Sequence, residues 1–403
     1  MACFICNQDN LFNFLDLGLQ PPSNAFIRKE DLSKSEEIYS LKPCFCEFCG
    51  LVQLNYIVDP RKIFIDYVYN TSTNNSLKEN FQNLVGLIVG RFNLKKGDFA
   101  VDIGSNDGTL LSYYLPRGIK ILGVDPSNVT KLALEKNIPT IVDFFSERVA
   151  ADIIKKYGQA KAVTATNVFA HVDKLYDFMA GITKLLAKDG VFISESQYLL
   201  DTIAKLHYDL IYHEHLRYYS LKPLAILFNK FGMEIFDAER ISSHGGSIRV
   251  YAAKSGEYPV SESVAALMKN EESSGLYRKE TFTDFADKVS RNKFEFLEII
   301  KDIKGRGQRI VGIGAPAKGN TLLNYYGMNP DIIDYLVEKS ELKIGTFAPG
   351  TRIPVVAESK LFKDQPEYAL LLSWNLADEL IPKIRNKGYK GKFIVPMPKP
   401  TVL

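Results

Sequence analysis

From residue 98 onward, short apolar segments alternate with amphipathic ones, and this pattern limits the chain to few architectures. DFAVDIG (98–104), IKILGVD (119–125), KAVTAT (161–166) and GVFISES (190–196) read as strands. LLSYYL starts a helix after the first of them, and another is expected near 173–188. Strands that alternate with helices are joined by right-handed crossovers and form a parallel sheet. GMEIFDAERIS and GGSIRVYAAK (232–254) follow as two strands joined by a turn. The polar, charged stretch 255–285 predicts a linker or a long surface helix. The alternation then restarts: RIVGIGA (309–315), a helix from Lys318, DYLVEKS (334–340), YALLLSW (368–374), a helix over 376–388 and KFIVPMP (392–398). A second, smaller α/β unit is expected there. Upstream, residues 76–95 read as an amphipathic helix that ends near Gly97.

The chain has 403 residues. At roughly 150 residues per domain it has room for two or three. Lys and Arg number 50 against 47 Asp and Glu, a net charge of 50 − 47 = +3, which argues against an electrostatic nucleic-acid binder. No apolar run approaches the ~18 residues of a membrane span. MACFICNQDN has neither the basic nor the apolar region of a secretory signal. A cytoplasmic location without membrane attachment is the expectation.

All five cysteines lie in the first 49 residues, and all five histidines lie between 171 and 244. Cys3–Cys6 and Cys46–Cys49 are two CxxC pairs. Two intervening residues let both thiolates of a pair face one tetrahedral centre, so two pairs complete a closed four-cysteine zinc site. A closed site leaves no open position, which makes such a zinc structural. Disulfides are disfavoured in a chain without a secretion signal. Cys44 is left over and is expected to pack as an ordinary buried side chain.

VDIGSNDGTL (101–110) follows a strand and opens a helix, and Asp125 ends the next strand. Such a turn lets backbone approach a cofactor in the crevice at the strand ends, while an acid meets ribose hydroxyls. GK[ST] is missing, so this is no P-loop, and GxGxxG is missing too. The form Asp102-x-Gly104-x-Asn106-x-Gly108 resembles motif I of class I S-adenosylmethionine (SAM) methyltransferases, with Asn106 in place of the usual middle glycine. A tight strand–helix turn with no ligand is the competing reading.

YDLIYHEHLRYYSL (208–221) packs Tyr212, His213, Glu214, His215, Tyr218 and Tyr219 together. An imidazole beside a carboxylate suits a general base, since its pKa lies near operating pH and the acid can orient the ring. His-x-His is also a two-ligand metal pattern on a strand. Exposed histidines among core tyrosines are a third reading. In NVFAHVD (167–173), Asn167 and His171 fall just beyond a strand, at the cofactor crevice. HGGSIRV (244–250) offers His244, Ser247 and Arg249 for polar or phosphate contacts, or forms a plain hairpin turn. RIVGIGAPAKGN (309–320) again runs from strand to helix; its backbone N–H groups and Lys318 suit a pyrophosphate, and Glu338 at the next strand end could meet a ribose. Alone, this loop could serve a nicotinamide dinucleotide dehydrogenase or simply close the fold.

Together these segments resemble one family: SAM-dependent sugar C-methyltransferases that act on nucleotide-linked 4-keto-deoxysugars. The likeness runs through QPPSNAF (20–26), CEFCGLVQL, DYVYNTSTNNS (66–76), DIGSNDG, NVFAHVD, YHEH, HGGSIRVY, GAPAKGNTLLNYYG (314–327), KIGTFAPGTRIPV (343–355) and SWNLADEL (373–380). It implies an α/β fold of three parts: a zinc-binding module over 1–65, a class I SAM methyltransferase domain with a seven-strand mixed sheet over 66–257, and a Rossmann-like sugar-nucleotide domain over 258–403. His215 matches the family's catalytic base, with Glu214 and Tyr212 beside it, and His171 matches another active-site position. Tyr67 or Tyr69 is expected there as well, Tyr67 in catalysis and Tyr69 against substrate. Lys318, Asn320 and Glu338, with His244 and Arg249, fall to the sugar nucleotide. The chain departs from the family at DFF (143–145), at Glu338 where an aspartate is usual, and at TS (71–72).

The implied activity is methyl transfer to C3, alpha to the ketone of a nucleoside-diphosphate 4-keto-6-deoxysugar, by a monomer, through a histidine-generated enolate. The alternatives are an O- or N-methyltransferase on a related sugar nucleotide, a dehydrogenase, or a zinc-ribbon nucleic-acid-binding protein with a non-catalytic SAM fold.

Overall fold

A computed structural model of the chain describes residues 1–73 and 75–403, apart from the side chains of Asn75 and His244. Its centre is a seven-stranded sheet in the order Met233–Ile241, Ser247–Lys254, Leu186–Gln197, Ala160–Thr166, Phe99–Ile103, Lys120–Val124, Thr140–Ile141. Ser247–Lys254 runs antiparallel to both neighbours, and the other neighbouring pairs are parallel. Alternate residues feed two cores: Val101, Val163 and Phe192 on one face, Ala100, Ala162, Val191 and Ile193 on the other. Burial on both faces is why these strands read as near-continuous apolar runs.

A second parallel sheet carries the C-terminal domain, in the order Val355–Ala357, Leu336–Glu338, Ile310–Ile313, Tyr368–Leu371, Lys392–Val395, Thr401–Val402, with only the last strand antiparallel. Val355–Ala357 and the helix Ser359–Asp364 are additions to the expected pattern.

Within the polar stretch 255–285, residues 262–273 and those from 279 onward are helical, and turns and coil lie at 255–261 and 274–278. Glu262–Ser273 packs on Met233–Ile241, the edge strand of the central sheet. Lys279–Gly305 is one 27-residue helix that buries Phe282, Phe285, Val289, Asn292, Phe296, Ile300 and Ile303. Its charged residues cover the outer face of a stripe with helical period. Phe282 stacks on Phe45 of the N-terminal module at 4.4 Å, and Phe296 on Tyr326 of the C-terminal domain at 4.2 Å. One apolar core therefore runs from the N-terminal module into the C-terminal sheet.

The N-terminal module is a four-stranded antiparallel sheet, Leu11–Asn13, Pro43–Cys46, Val52–Leu54 and Arg217–Tyr218. Its last strand comes from the histidine segment, far along the chain. Among the described residues no helix is long and apolar enough to cross a membrane.

Candidate active site

A cleft of about 2310 Å³ opens between the central sheet and the C-terminal domain. Gly104, Asp125, Asn167 and Gln197, each at the C-terminal end of a central parallel strand, line one wall. That is where ligands sit in open α/β sheets. Gly104 (φ 69°) must be glycine, since a Cβ there would lie 2.2 Å from the Val168 side chain. Gly108 (φ 75°) caps the helix that follows and does not reach the cleft. Asp125 takes the backbone N–H of Asn106 at 2.9 Å and the N–H and hydroxyl of Ser127. Asp102 is pushed up to about 7 by burial, with Asp125 and Glu195 adding to the rise and the Thr164 hydroxyl opposing it.

Along this wall three buried atoms, Ser105 Oγ, Asn167 Oδ1 and His171 Nε2, have no partner among the described residues. They are the hydrogen-bonding capacity that a polar cofactor would take up.

The histidine segment forms the floor. His215 is buried, and its Nδ1 lies 2.7 Å from the Leu210 carbonyl. A carbonyl only accepts, so Nδ1 carries the proton. Nε2 is left as the acceptor, and the Gln197 amide nitrogen stands 3.3 Å from it. The Tyr212 ring sits 4.0 Å and the His171 ring 5.0 Å from the His215 ring. His171 is lowered to about 4 by burial and is neutral at pH 7. Burial keeps the Tyr67 and Tyr212 hydroxyls protonated, well above the ordinary tyrosine value.

Glu214 accepts from Asn24 Nδ2 at 2.6 Å and from the Tyr67 hydroxyl at 3.1 Å. Burial raises it to about 7, against the pull of those two donors and of Lys343. His213 turns away, its ring 5.9 Å from Tyr39 in the N-terminal module. His213 and His215 therefore do not face one metal. The described residues contain one cluster of metal-ligating type, the four cysteines.

The opposite wall belongs to the C-terminal domain. Lys318 meets Asn375 and lies over the Trp374 ring. Burial lowers both Lys318 and Lys343. Glu338 accepts from the N–H groups of Ala315, Lys339 and Ser340, which shapes the Gly-rich loop.

Two expected substrate contacts are placed elsewhere. Arg249 sits inside the sheet, bound to Glu195 at 2.6 Å, Glu239 at 2.9 Å and Asn80 at 3.1 Å, and does not line the cleft. Strand alternation turns it inward, where a buried Glu195 needs a cation. Asn320 is also away from the cleft; it donates to the Ser23 carbonyl at 2.8 Å and docks the QPPSNAF bend on the helix Ala317–Tyr326. The His244 side chain lies outside the described residues. Tyr69 lines the cleft beside Tyr67, their rings 6.4 Å apart. Asn24 and Lys343 lie within QPPSNAF and KIGTFAPGTRIPV, segments that carry the family resemblance, but neither segment by itself marks which side chain faces the site; Gln197 directly follows an apolar strand with no motif around it.

The four sulfurs of Cys3, Cys6, Cys46 and Cys49 lie within 4.8 Å of one another, with closest pairs at 3.4 and 3.5 Å. A zinc tetrahedron with Zn–S of about 2.3 Å needs sulfurs about 3.8 Å apart, so the donor set fits zinc. Cys44 is a bystander whose thiol meets the Gln53 carbonyl at 3.3 Å.

The sheet order, the Gly104–Gly108 turn and the cleft at the strand ends define a class I SAM-dependent methyltransferase. Family profiles match along the chain: a zinc binding domain over 3–64, a methyltransferase domain over 77–238 and a C-methyltransferase C-terminal domain over 242–398. C-methyltransferase NovU of Streptomyces niveus is 32% identical over 404 residues, spanning 100% of this chain and 96% of the relative. The chain belongs to this family of SAM-dependent C-methyltransferases with a zinc-binding module. Solved structures that align with it include magnesium protoporphyrin IX methyltransferase of Synechocystis PCC 6803 with bound SAH (16% identity, 48% of this chain, 92% of that one, TM-score 0.35). CcbJ methyltransferase of Streptomyces caelestis aligns over 43% of this chain and 89% of that one (14% identity, TM-score 0.35).

Proposed function

We propose that this enzyme methylates C3 of a nucleoside-diphosphate 4-keto-6-deoxysugar, with His215 as the base. The observation that carries the reading is the His215 tautomer. The Leu210 carbonyl holds Nδ1–H, which makes Nε2, beside the Gln197 amide, the accepting nitrogen of a ring that lines the cleft.

A saturated ring carbon is no nucleophile, but a neighbouring ketone makes its proton acidic. His215 Nε2 removes that proton, and the enolate carbon becomes the nucleophile. Charge develops on the ketone oxygen, and the protonated phenol of Tyr212 is the nearby donor, while the Tyr67 phenol borders the same space with its hydroxyl given to Glu214. Neutral His171 borders the same space. SAM, when bound, supplies the electrophilic methyl group. Lys318, Lys343 and the N-terminus of the helix Ala317–Tyr326 suit the diphosphate. Glu338 keeps that loop in shape. In this reading the enzyme acts as a monomer in the cytoplasm.

The test is deuterium exchange and methyl transfer with a small panel of nucleotide-linked 4-keto sugars. Native enzyme should exchange the alpha deuterium and methylate that carbon. His215→Asn should lose both by about 10²–10⁴-fold, the usual range for a general base. Full exchange and transfer in that variant would overturn the base assignment. Methyl transfer without any exchange would favour O- or N-methylation.

A further inference from the structure

Residues 65–73 form a strap along the cleft, with Tyr67, Tyr69, Thr71 and Thr73 in its lining, and Tyr67 is its link to Glu214. The strap is fastened to the two cofactor turns. From the second turn, Asn128 Oδ1 accepts the Tyr67 N–H at 3.1 Å and the Asn128 N–H donates to the Ile65 carbonyl at 2.9 Å. From the first turn, Asp107 accepts the Ser72 N–H at 2.9 Å. Asn106 spans the stretch between them. Its Nδ2 donates to the Tyr69 carbonyl at 3.1 Å, and its Oδ1 accepts the Thr71 N–H at 3.0 Å. Asn106 sits at φ 51°, a conformation that asparagine and glycine tolerate. Its backbone N–H bonds Asp125, so the side chain is committed to the strap while the backbone keeps the turn.

We propose that Asn106 is a positioning residue: it buckles the strap onto the cofactor turn and so holds Tyr67 on Glu214. The fastening rests on the contacts above. Its consequence for turnover rests on the proposed function. A glycine at 106 would make the same turn and release the strap. The side chain therefore gives the cofactor site a mechanical link to the phenol that borders the reacting carbon.

The test uses the full-length, zinc-loaded protein and two variants. Asn106→Gly keeps the left-handed turn. Thr71→Pro removes the same Oδ1 bond from the strap side, at the first position of the short helical turn Thr71–Thr73, where proline is tolerated. Amide exchange of the segment 66–73 should run about tenfold faster in Asn106→Gly, which loses two hydrogen bonds, and faster at its remaining amides in Thr71→Pro. SAM affinity by calorimetry should stay within about threefold, because glycine suits the turn. In both variants kcat should fall about tenfold with the KM for SAM little changed. Unchanged exchange in both variants overturns the proposal. Faster exchange with unchanged kcat also overturns it, since the strap would then position nothing. If native enzyme methylates no 4-keto sugar, the proposed function fails, and the exchange arm still decides whether Asn106 fastens the strap.

Discussion

Glu214 shows how a site can oppose the stability of its own fold. Its carboxyl rises from 4.5 to about 7 because burial penalises the charge more than Asn24 and Tyr67 repay. A carboxyl whose folded value lies above its unfolded one favours the native state most at pH below about 4.5 and loses that contribution as pH rises through about 7. Glu214→Gln should therefore melt like native protein near pH 5 and be more stable at pH 8, by on the order of 1–3 kcal/mol. Thermal melts at the two pH values check this; equal differences at both would refute it. Turnover should move the other way, because an amide oxygen accepts the Tyr67 hydroxyl more weakly than a carboxylate does. Native kcat should also fall as pH drops below about 7 and Glu214 protonates, provided cofactor and substrate stay saturating. At this scale the sequence was informative where residues cluster. YHEH exposed His215, Glu214 and Tyr212 at once, while Asn24 and Lys343 reach the same carboxyl from either end of the chain. Arg249 was misplaced because its segment looks like a phosphate loop, and only the sheet register reveals Glu195 directly opposite it.

At the scale of elements, the zinc module is joined to the active site by the strand Arg217–Tyr218. That strand pairs with Val52 and Gln53, next to the cysteine-bearing strand. Arg217 is fully buried, donates to the carbonyls of Val172 and Asp173 beside His171, and carries the Phe4 ring, from within the first CxxC pair, 4.4 Å from its guanidinium. Zinc removal should loosen Phe4 and, through Arg217, the turn that carries His171. Chelation or Cys46→Ser should accelerate amide exchange in 169–173 and 212–218 while the strands 99–103 and 160–166 stay protected. Equal acceleration everywhere would mean global unfolding instead. The strand alternation predicted both α/β units because their buried strands are continuous apolar runs. The polar stretch 255–285 reads as either a linker or a long surface helix because the outer face of Lys279–Gly305 is densely charged, and polarity hides the three-and-four spacing of its buried residues. The short strand at 217–218 has no periodicity at all, so nothing local marks it as part of the zinc sheet.

The whole molecule turns on a buried polar node. Asn292 of the long helix accepts from Tyr208 and Tyr326 at 2.6 and 2.8 Å and donates to the carbonyls of Pro396 and Pro398, each at 3.0 Å. Both ends of one amide are thus satisfied, and the helix is tied to the histidine region and to the C-terminal domain together. Asn292→Ala would leave the carbonyls of Pro396 and Pro398 without this donor and the Tyr208–Tyr326 hydroxyl pair, 2.7 Å apart, without its shared acceptor in a dry core, at a cost of about 3 kcal/mol. Denaturant unfolding should show that loss. A change below about 0.5 kcal/mol, the range of surface substitutions, would show that the node carries nothing. Three-part organisation could be read from the motifs; the shared core could not, because it depends on Phe14, Phe45, Phe282 and Tyr326 meeting across the length of the chain.

The borrowed strand has a consequence for how the protein is made. The zinc module is translated before residues 217–218, which complete its sheet, and Ile27 before Phe347, which completes its bridge. At ~5–20 residues per second of synthesis, the second gap amounts to roughly 16–64 s. During the first half of that interval, before residues 217–218 arrive, the four thiols can capture zinc while the sheet edge beside them has no partner. A segment translated ahead of both α/β domains is thus finished only by residues from within them, and metal capture is the event that can hold it in shape until its partners arrive.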